Sequence, residues 1–367
     1  LFQHHDLVTI AGGKVQVMNR RNHPMVPVAP PYTIDDFYTP AEVDALFGVV
    51  KNHGPWPLIS ALHFKTAEEF LAVAGGPNRP KDAKLTDYTS PSFRGYFAQD
   101  GVCFYDEVFD IYFSKRLIEI AKKLHGAEYG MAHNMLFNLA GPSHSYDAGH
   151  FDGATWRGIN LHNCPLWLIA VMAKSGLFDR YKVKTAQVIT YFYESGIDGG
   201  FTYWPDGPDR APQRFVPPFH NTAMVSDNSE MYHRREANGP RELRDCPELD
   251  ITTVVDWAGN DEWVLSNDGR EIGRFDEANR RVLFHWTGLV FRDRAEVTAY
   301  LEHTDDLTLD KVFEIFLADL RERGIPCTEP SDPATDPEFI QLLNTTYAMS
   351  PQQYPDEAPL DTKAPAA

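Results

Sequence analysis

His150-Phe151-Asp152 places a histidine and a carboxylate two residues apart, a spacing that lets both hold one metal ion. Strand side chains alternate with period two, so residues i and i+2 project from one face. Imidazole and carboxylate suit a divalent first-row metal, and two histidines with one carboxylate leave open positions on Fe(II). A second, distant histidine would complete such a facial iron site. Spacing alone does not single this triplet out. The chain has 14 histidines and 52 acidic residues and repeats the pattern at His4-His5-Asp6 and His303-Thr304-Asp305. The first of these reads as a mobile terminus and the second as a helix start.

The elements that must position the triplet fall into three stretches. Residues 1–128 read as a proline-rich arm followed by helices. Thr39-Pro40-Ala41-Glu42 supplies a cap, a proline in the first turn and an acidic residue, and Val43, Leu46, Phe47 and Val50 follow at helical spacing. Phe70 to Ala74 and Leu117 to Ile120 repeat that signal. From residue 129 to 300 the texture becomes short apolar or alternating segments broken by glycine, proline and asparagine, as in an all-β core. Strands are expected at 134–139, 149–152, 186–193, 200–204, 222–226, 230–234 and 281–291, with one buried helix, Leu166 to Ser175, ended by Gly176. Residues 240–280 read as a long polar insertion of the kind that forms lids or binding loops. Residues 301–367 read as a helix starting at Thr308 or Asp310, then a proline- and alanine-rich disordered tail.

Composition limits the partners. A globular core is available, with 43% hydrophobic and 13% aromatic residues among 367. A formal charge of -18 repels nucleic acid and anionic membrane surfaces. No apolar run approaches the roughly 18 residues that span a bilayer, and no signal peptide is apparent, so the expected setting is the cytoplasm. Cys103, Cys164, Cys246 and Cys327 are scattered and read as free thiols rather than a zinc ribbon or a disulfide framework.

Around the triplet the chain runs Gly149-His150-Phe151-Asp152-Gly153. Later come Gly199-Gly200-Phe201-Thr202-Tyr203-Trp204-Pro205, Asn221-Thr222-Ala223-Met224-Val225-Ser226 and Tyr232-His233-Arg234. In order and separation this set resembles the Fe(II)/2-oxoglutarate-dependent dioxygenases. The resemblance implies an α+β chain with a double-stranded β-helix (jelly-roll) core, a helical N-terminal region and a C-terminal helix. It implies His150, Asp152 and His233 as Fe(II) ligands, with 2-oxoglutarate as co-substrate and dioxygen as oxidant. The 81 residues from Asp152 to His233 exceed the spacing in the smallest members, and the apolar segment 161–185 accounts for the excess as an insertion. His220 and His144 are rival histidines placed in loops.

The same family holds the distal carboxylate of 2-oxoglutarate with a basic residue on its last core strand, where a planar guanidinium fits a carboxylate with two hydrogen bonds. Arg280-Arg281-Val282-Leu283-Phe284-His285-Trp286 resembles the R-x-x-x-H-W form of that strand and favours Arg281. Arg280, Arg292, Arg234, Arg235, Arg241 and Arg244 remain alternatives. Tyr191, on one face of its strand with Gln187 and Ile189, is placed to donate to the co-substrate, and Asn138 to line the same cavity. Trp156 and Arg157 just after the triplet, and Tyr203 on the glycine-pair strand, are the expected substrate contacts. Tyr88, Phe93, Arg94, Tyr96 and Phe97 form an aromatic and basic stretch expected to close over the site.

The activity implied is oxidative decarboxylation of 2-oxoglutarate coupled to hydroxylation, desaturation or cyclisation of a small molecule, as in specialised metabolism. Asp152 argues against halogenation, because halogenating relatives carry a small residue there. A hydrolase would show H-E-x-x-H, H-x-H-x-D or G-x-S-x-G, none of which occurs. A metal oxygenase that does not use 2-oxoglutarate, and a non-catalytic metal-binding jelly roll, remain the alternatives.

Overall fold

The computed structural model describes residues 8–10, 13–15, 25–74 and 80–347. The His4-His5-Asp6 triplet and the proline- and alanine-rich end lie outside the described residues. The framework is a large antiparallel sheet with Lys182–Tyr193 and Arg281–Phe291 near its centre. Phe219–Ser226 and then Tyr32–Ile34 extend it on one side, and Tyr129–Ala140, Ser92–Gln99 and Val102–Cys103 on the other. The two central strands are almost continuously buried because both faces of the sheet are covered.

Period two sorts their side chains. Val282, Phe284 and Trp286, with Phe137 and Val188 alongside, face a core built with Leu46, Val49 and Val50 of the helix Pro40–Asn52 and Leu117 and Ala121 of the helix Lys115–His125. The residues between them, Arg281, Leu283, His285 and Thr287, face a cavity on the opposite side. Slipping this strand by one residue would exchange arginine and histidine for phenylalanine and tryptophan, so the apolar face fixes which polar residues reach the cavity.

A smaller antiparallel sheet, ordered Gln213–Phe215, Phe201–Trp204 and Tyr232–Arg235, lies on the cavity side. Phe201 and Met231 from its neighbourhood pack against Ile189, Tyr191 and Leu283 of the large sheet. Two facing antiparallel sheets with helices on the outer face make a β-sandwich-like arrangement. The helix Leu166–Ser175 ends at Gly176 in the left-handed region, φ 69°. It shares a second core with Leu309–Glu322, capped by Thr308, and with Pro337–Tyr347.

Four sequence-based expectations change. Residues 240–280 are not a lid: Val254–Gly259, Glu262–Asn267 and Arg270–Asp276 pair into a sheet completed by Trp56–Pro57. That sheet buries Val255, Trp263 and Leu265 on the main core, and none of residues 240–280 lines the cavity. The stretch around Arg94 does not close over the site but forms the strand Ser92–Gln99 of the large sheet, which therefore crosses the 128/129 boundary. Residues 149–152 form no strand; His150 makes a single bridge. His303 ends a helix rather than starting one, capping Arg294–Glu302 at φ 54°. All four cysteines are free, and no helix among the described residues is long and apolar enough to cross a membrane.

Candidate metal centre

His150 and His233 come from segments 83 residues apart and meet as an antiparallel bridge. Each backbone N–H donates to the other's carbonyl, at 2.8 and 3.0 Å, which puts both imidazoles on one side with ring centroids 4.4 Å apart. Asp152 is fixed by its N–H donating to Asn228 O at 2.9 Å. The approach to His150 needs Gly149: its φ is +95°, and a Cβ there would lie 2.4 Å from the Tyr232 ring. Asp147 organises the same turn. Its Oδ1 accepts from Gly149 N at 2.9 Å and from His150 Nδ1 at 3.0 Å, and its Oδ2 accepts from Arg235 N at 3.2 Å.

The donor set fits a divalent cation. One ligand atom from each of His150, Asp152 and His233 lies within 4.8 Å of the others, and no other such group of three occurs among the described residues. His150 Nδ1 is committed to Asp147, and His233 Nδ1 donates to Met231 O at 2.9 Å. Both Nε2 atoms are therefore left as lone-pair donors, with ring orientation set by the outer hydrogen bond. The Nε2 atoms of His233 and His150 lie 3.6 and 3.9 Å from Asp152 Oδ1, too far for good hydrogen bonds. Asp152 Oδ2 is buried with no hydrogen-bond partner. A buried carboxylate oxygen left unpaired is costly unless a cation meets it.

The electrostatics agree. Burial opposes the charge of Asp152, yet His233, His285 and His150 around it hold its carboxyl well below the usual range. Enclosure likewise opposes a charge on His150, but Asp147 and then Asp152 raise its pKa to about 9, so without a metal the Nε2 lone pair holds a proton that a bound cation would displace. His285, opposite Leu136 and Ile189 on the sheet, is pushed down to about 4 by burial and is neutral; its Nε2 has no partner. Because outer partners of metal-bound histidines typically contribute a factor of about 10–100 in affinity, Asp147→Ala is expected to weaken Fe(II) binding by about that factor. Competition against a chromophoric chelator checks this, with Asp147→Asn expected between the two.

Beside the triad lies a cavity of about 1130 Å³. Arg281 is buried in its wall; Nε donates to Gly199 O at 2.8 Å, and among the described residues it forms no ion pair. Tyr191 stands beside it, the guanidinium 5.4 Å from the ring centroid, with a hydroxyl pKa raised by burial. Asn138 lines the same floor and accepts from Arg94 Nε at 2.8 Å. Trp156 lines the cavity with a buried Nε1 that has no hydrogen-bond partner. Arg157 also borders it but is clamped to Asp305 at 2.6 and 2.8 Å. Tyr203 does not line it; its hydroxyl bonds Gln213 at 3.0 Å.

The rival residues are engaged elsewhere. His220 is exposed beside Glu194, and His144 pairs with Asp245. Arg280 pairs with Glu277, Arg292 with Asp293, and Arg244 with Asp198. Arg241 lies outside the cavity wall, as does Arg234, which stands over the Trp204 ring. Arg235 borders the cavity but donates to Ser90, Ser143 and Asn238. Sequence alone places Arg94 in a stretch closing over the site rather than in the cavity wall, and gives His285 and Asp147 no cavity role. His285 carries a signal in strand alternation, since it lies between the buried Phe284 and Trp286, whereas Arg94 follows the buried Phe93 but precedes Gly95.

No family model matches the chain, and no curated protein matches it. Among solved structures it is similar to a prolyl-4-hydroxylase of Pseudomonas putida, at 11% identity and TM-score 0.30 over 72% of this chain and 93% of that one. It is also similar to a prolyl hydroxylase of Trichoplax adhaerens in complex with a hypoxia inducible factor peptide, at 7% identity and TM-score 0.33 over 74% and 87%. A third is the Fe(II)/α-ketoglutarate-dependent dioxygenase TqaL, at 11% identity and TM-score 0.22 over 71% and 93%. In its His150-x-Asp152 and His233 triad, set against two antiparallel sheets, the chain resembles the Fe(II)/2-oxoglutarate-dependent oxygenases.

Proposed function

We propose that the protein is a non-haem Fe(II) oxygenase that couples oxidative decarboxylation of 2-oxoglutarate to oxidation of a small molecule, on a double-stranded β-helix core. The observation that carries this reading is the pairing of two uncompensated groups. A buried carboxylate oxygen on Asp152 sits within a His-Asp-His cluster, and a buried guanidinium with no ion pair among the described residues, Arg281, stands in the adjoining cavity. One asks for a cation and the other for an anion.

His150, Asp152 and His233 would hold Fe(II), which when bound supplies the activation of dioxygen, with 2-oxoglutarate as the reductant that leaves as succinate and CO₂. The chain's own part is binding and enclosure. Arg281 takes the distal carboxylate of the co-substrate in its fork, oriented by the Gly199 carbonyl, and the Tyr191 hydroxyl adds a donor beside it. Leu136, Ile189, Phe201 and Leu283 give the cavity apolar wall that helps exclude water. Trp156 Nε1 is available to a substrate acceptor, whereas Arg157 reaches the substrate only by releasing Asp305.

The test is anaerobic addition of Fe(II) and then 2-oxoglutarate to the full chain, watching for the visible metal-to-ligand absorbance band, followed by admission of oxygen and assay of succinate. A band and succinate are expected. A metal-bound protein with oxygen uptake but neither band nor succinate would support the oxygenase that dispenses with 2-oxoglutarate, and no metal binding would leave neither.

A further inference from the structure

Arg281 has a counterpart. Arg94, on Ser92–Gln99, also faces the cavity and also forms no ion pair among the described residues. Ala140 lies opposite both Arg281 and Ser92, whereas Arg94 lies opposite Asn138, so the two arginines are two strands and one pleat apart. At ordinary sheet spacings that separates their Cα atoms by about 12 Å. Arg94 Nε donates to Asn138 Oδ1 at 2.8 Å, which orients the guanidinium plane and leaves the terminal nitrogens without a hydrogen-bond partner among the described residues.

The acidic residues bordering the cavity are occupied. Asp100 pairs with His133 and His162, Asp147 with His150, and Asp306 with His303, while Asp152 belongs to the triad. A partly buried guanidinium with no counter-charge is a cost in a chain that has 52 acidic residues available to neutralise it. One molecule of 2-oxoglutarate offers a single distal carboxylate, and Arg281 meets it. Arg94 is left for a second anion.

We infer that the substrate is a small monocarboxylic acid whose carboxylate is taken by Arg94 while Arg281 holds the co-substrate; this rests on the oxygenase reading above. The surroundings of Arg94 describe the rest of that molecule. Ile59 and Leu62, on the short helix that packs against this strand, and Tyr96 and Leu136 beside it offer apolar and aromatic surface. Burial and then the Arg94 charge lower the pKa of His63, which disfavours a second positive charge beside Arg94. An acid with an aliphatic or aryl body fits this wall, its carboxylate at Arg94 and its body reaching toward the triad.

The experiment uses the full chain as its anaerobic Fe(II)–2-oxoglutarate complex. Acetate, benzoate and 3-phenylpropionate are each titrated by calorimetry against acetamide, benzamide and 3-phenylpropionamide. At least one acid is expected to bind about 10-fold or more tighter than its amide, the scale of one charge-assisted contact. Arg94→Gln is expected to erase that preference while the Fe(II)–2-oxoglutarate band persists. Arg94→Lys, which keeps the charge without the fork and serves if the glutamine variant does not fold, is expected to retain only part of it. The inference is overturned if no acid is preferred, if the preference survives undiminished in the variants, or if Arg94→Gln removes the band, which would place Arg94 on the co-substrate. A parent protein without the band overturns the oxygenase reading instead.

Discussion

Asp152→Ala is expected to leave a folded protein that no longer takes up Fe(II) at concentrations saturating the parent. Loss of an outer partner such as Asp147 alone costs about 10–100-fold, so loss of the anionic ligand itself is expected to cost about 10³-fold or more in metal affinity. Turnover follows metal occupancy and falls with it. The fold survives because the backbone bond from Asp152 N to Asn228 O, which fixes this turn, does not involve the side chain. Asp152 is a cleaner probe than His233, whose ring packs against Phe201 at 5.2 Å and leaves a void when truncated. Equilibrium dialysis with Fe(II) under argon, with circular dichroism as the fold control, makes the measurement. His144→Ala and His220→Ala should bind metal as the parent does, since both rings lie outside the cluster. Metal uptake unchanged in Asp152→Ala would remove the triad from the site.

The His150-x-Asp152 pair is visible in the sequence, but not for the reason period two suggests: residues 149–152 form no strand, and the pair is set by the His150 bridge to His233 and by Asp152 N donating to Asn228 O. Their meeting with His233 depends on a bridge between segments 83 residues apart, and there the order of motifs rather than any spacing is informative. The partners that orient the rings are harder to read. Met231 contributes a carbonyl, which any residue type would supply, and Asp147 lies in a loop whose path is set by Gly149 and the Tyr232 ring. The strand Ser92–Gln99 hides for a different reason. Phe93 and Phe97 alternate with Arg94 and Tyr96, but Gly95 interrupts the apolar face and reads as a breaker. In the fold Gly95 is where Phe137 and Trp56 come so close that a Cβ would lie 2.5 Å from each. The sheet at 254–276 does carry a local mark: Asp268-Gly269, both at positive φ, is a two-residue hairpin turn inside what composition presents as a polar insertion.

Arg281→Met is expected to raise KM for 2-oxoglutarate by about 100-fold or more, because a charge-assisted pair is lost in a buried wall. What distinguishes this from general damage is stability without the co-substrate. The guanidinium is buried, desolvation lowers its pKa, and no carboxylate pairs with it, so its charge opposes folding of the free protein. Methionine of similar length removes that charge at the cost of the bond to Gly199 O, and the melting temperature without 2-oxoglutarate is expected to hold or rise. A ligand that binds only the folded state stabilises in proportion to RT ln(1 + [L]/Kd), so the rise in melting temperature that 2-oxoglutarate produces in the Fe(II)-loaded parent should largely vanish in the variant. Arg281→Lys keeps the charge but not the planar fork and belongs between the two. A variant that melts lower yet keeps its full response to 2-oxoglutarate would make Arg281 a structural residue held for the Gly199-Gly200 turn, and the anchor would then be sought at Arg94, which also lines the cavity and forms no ion pair among the described residues.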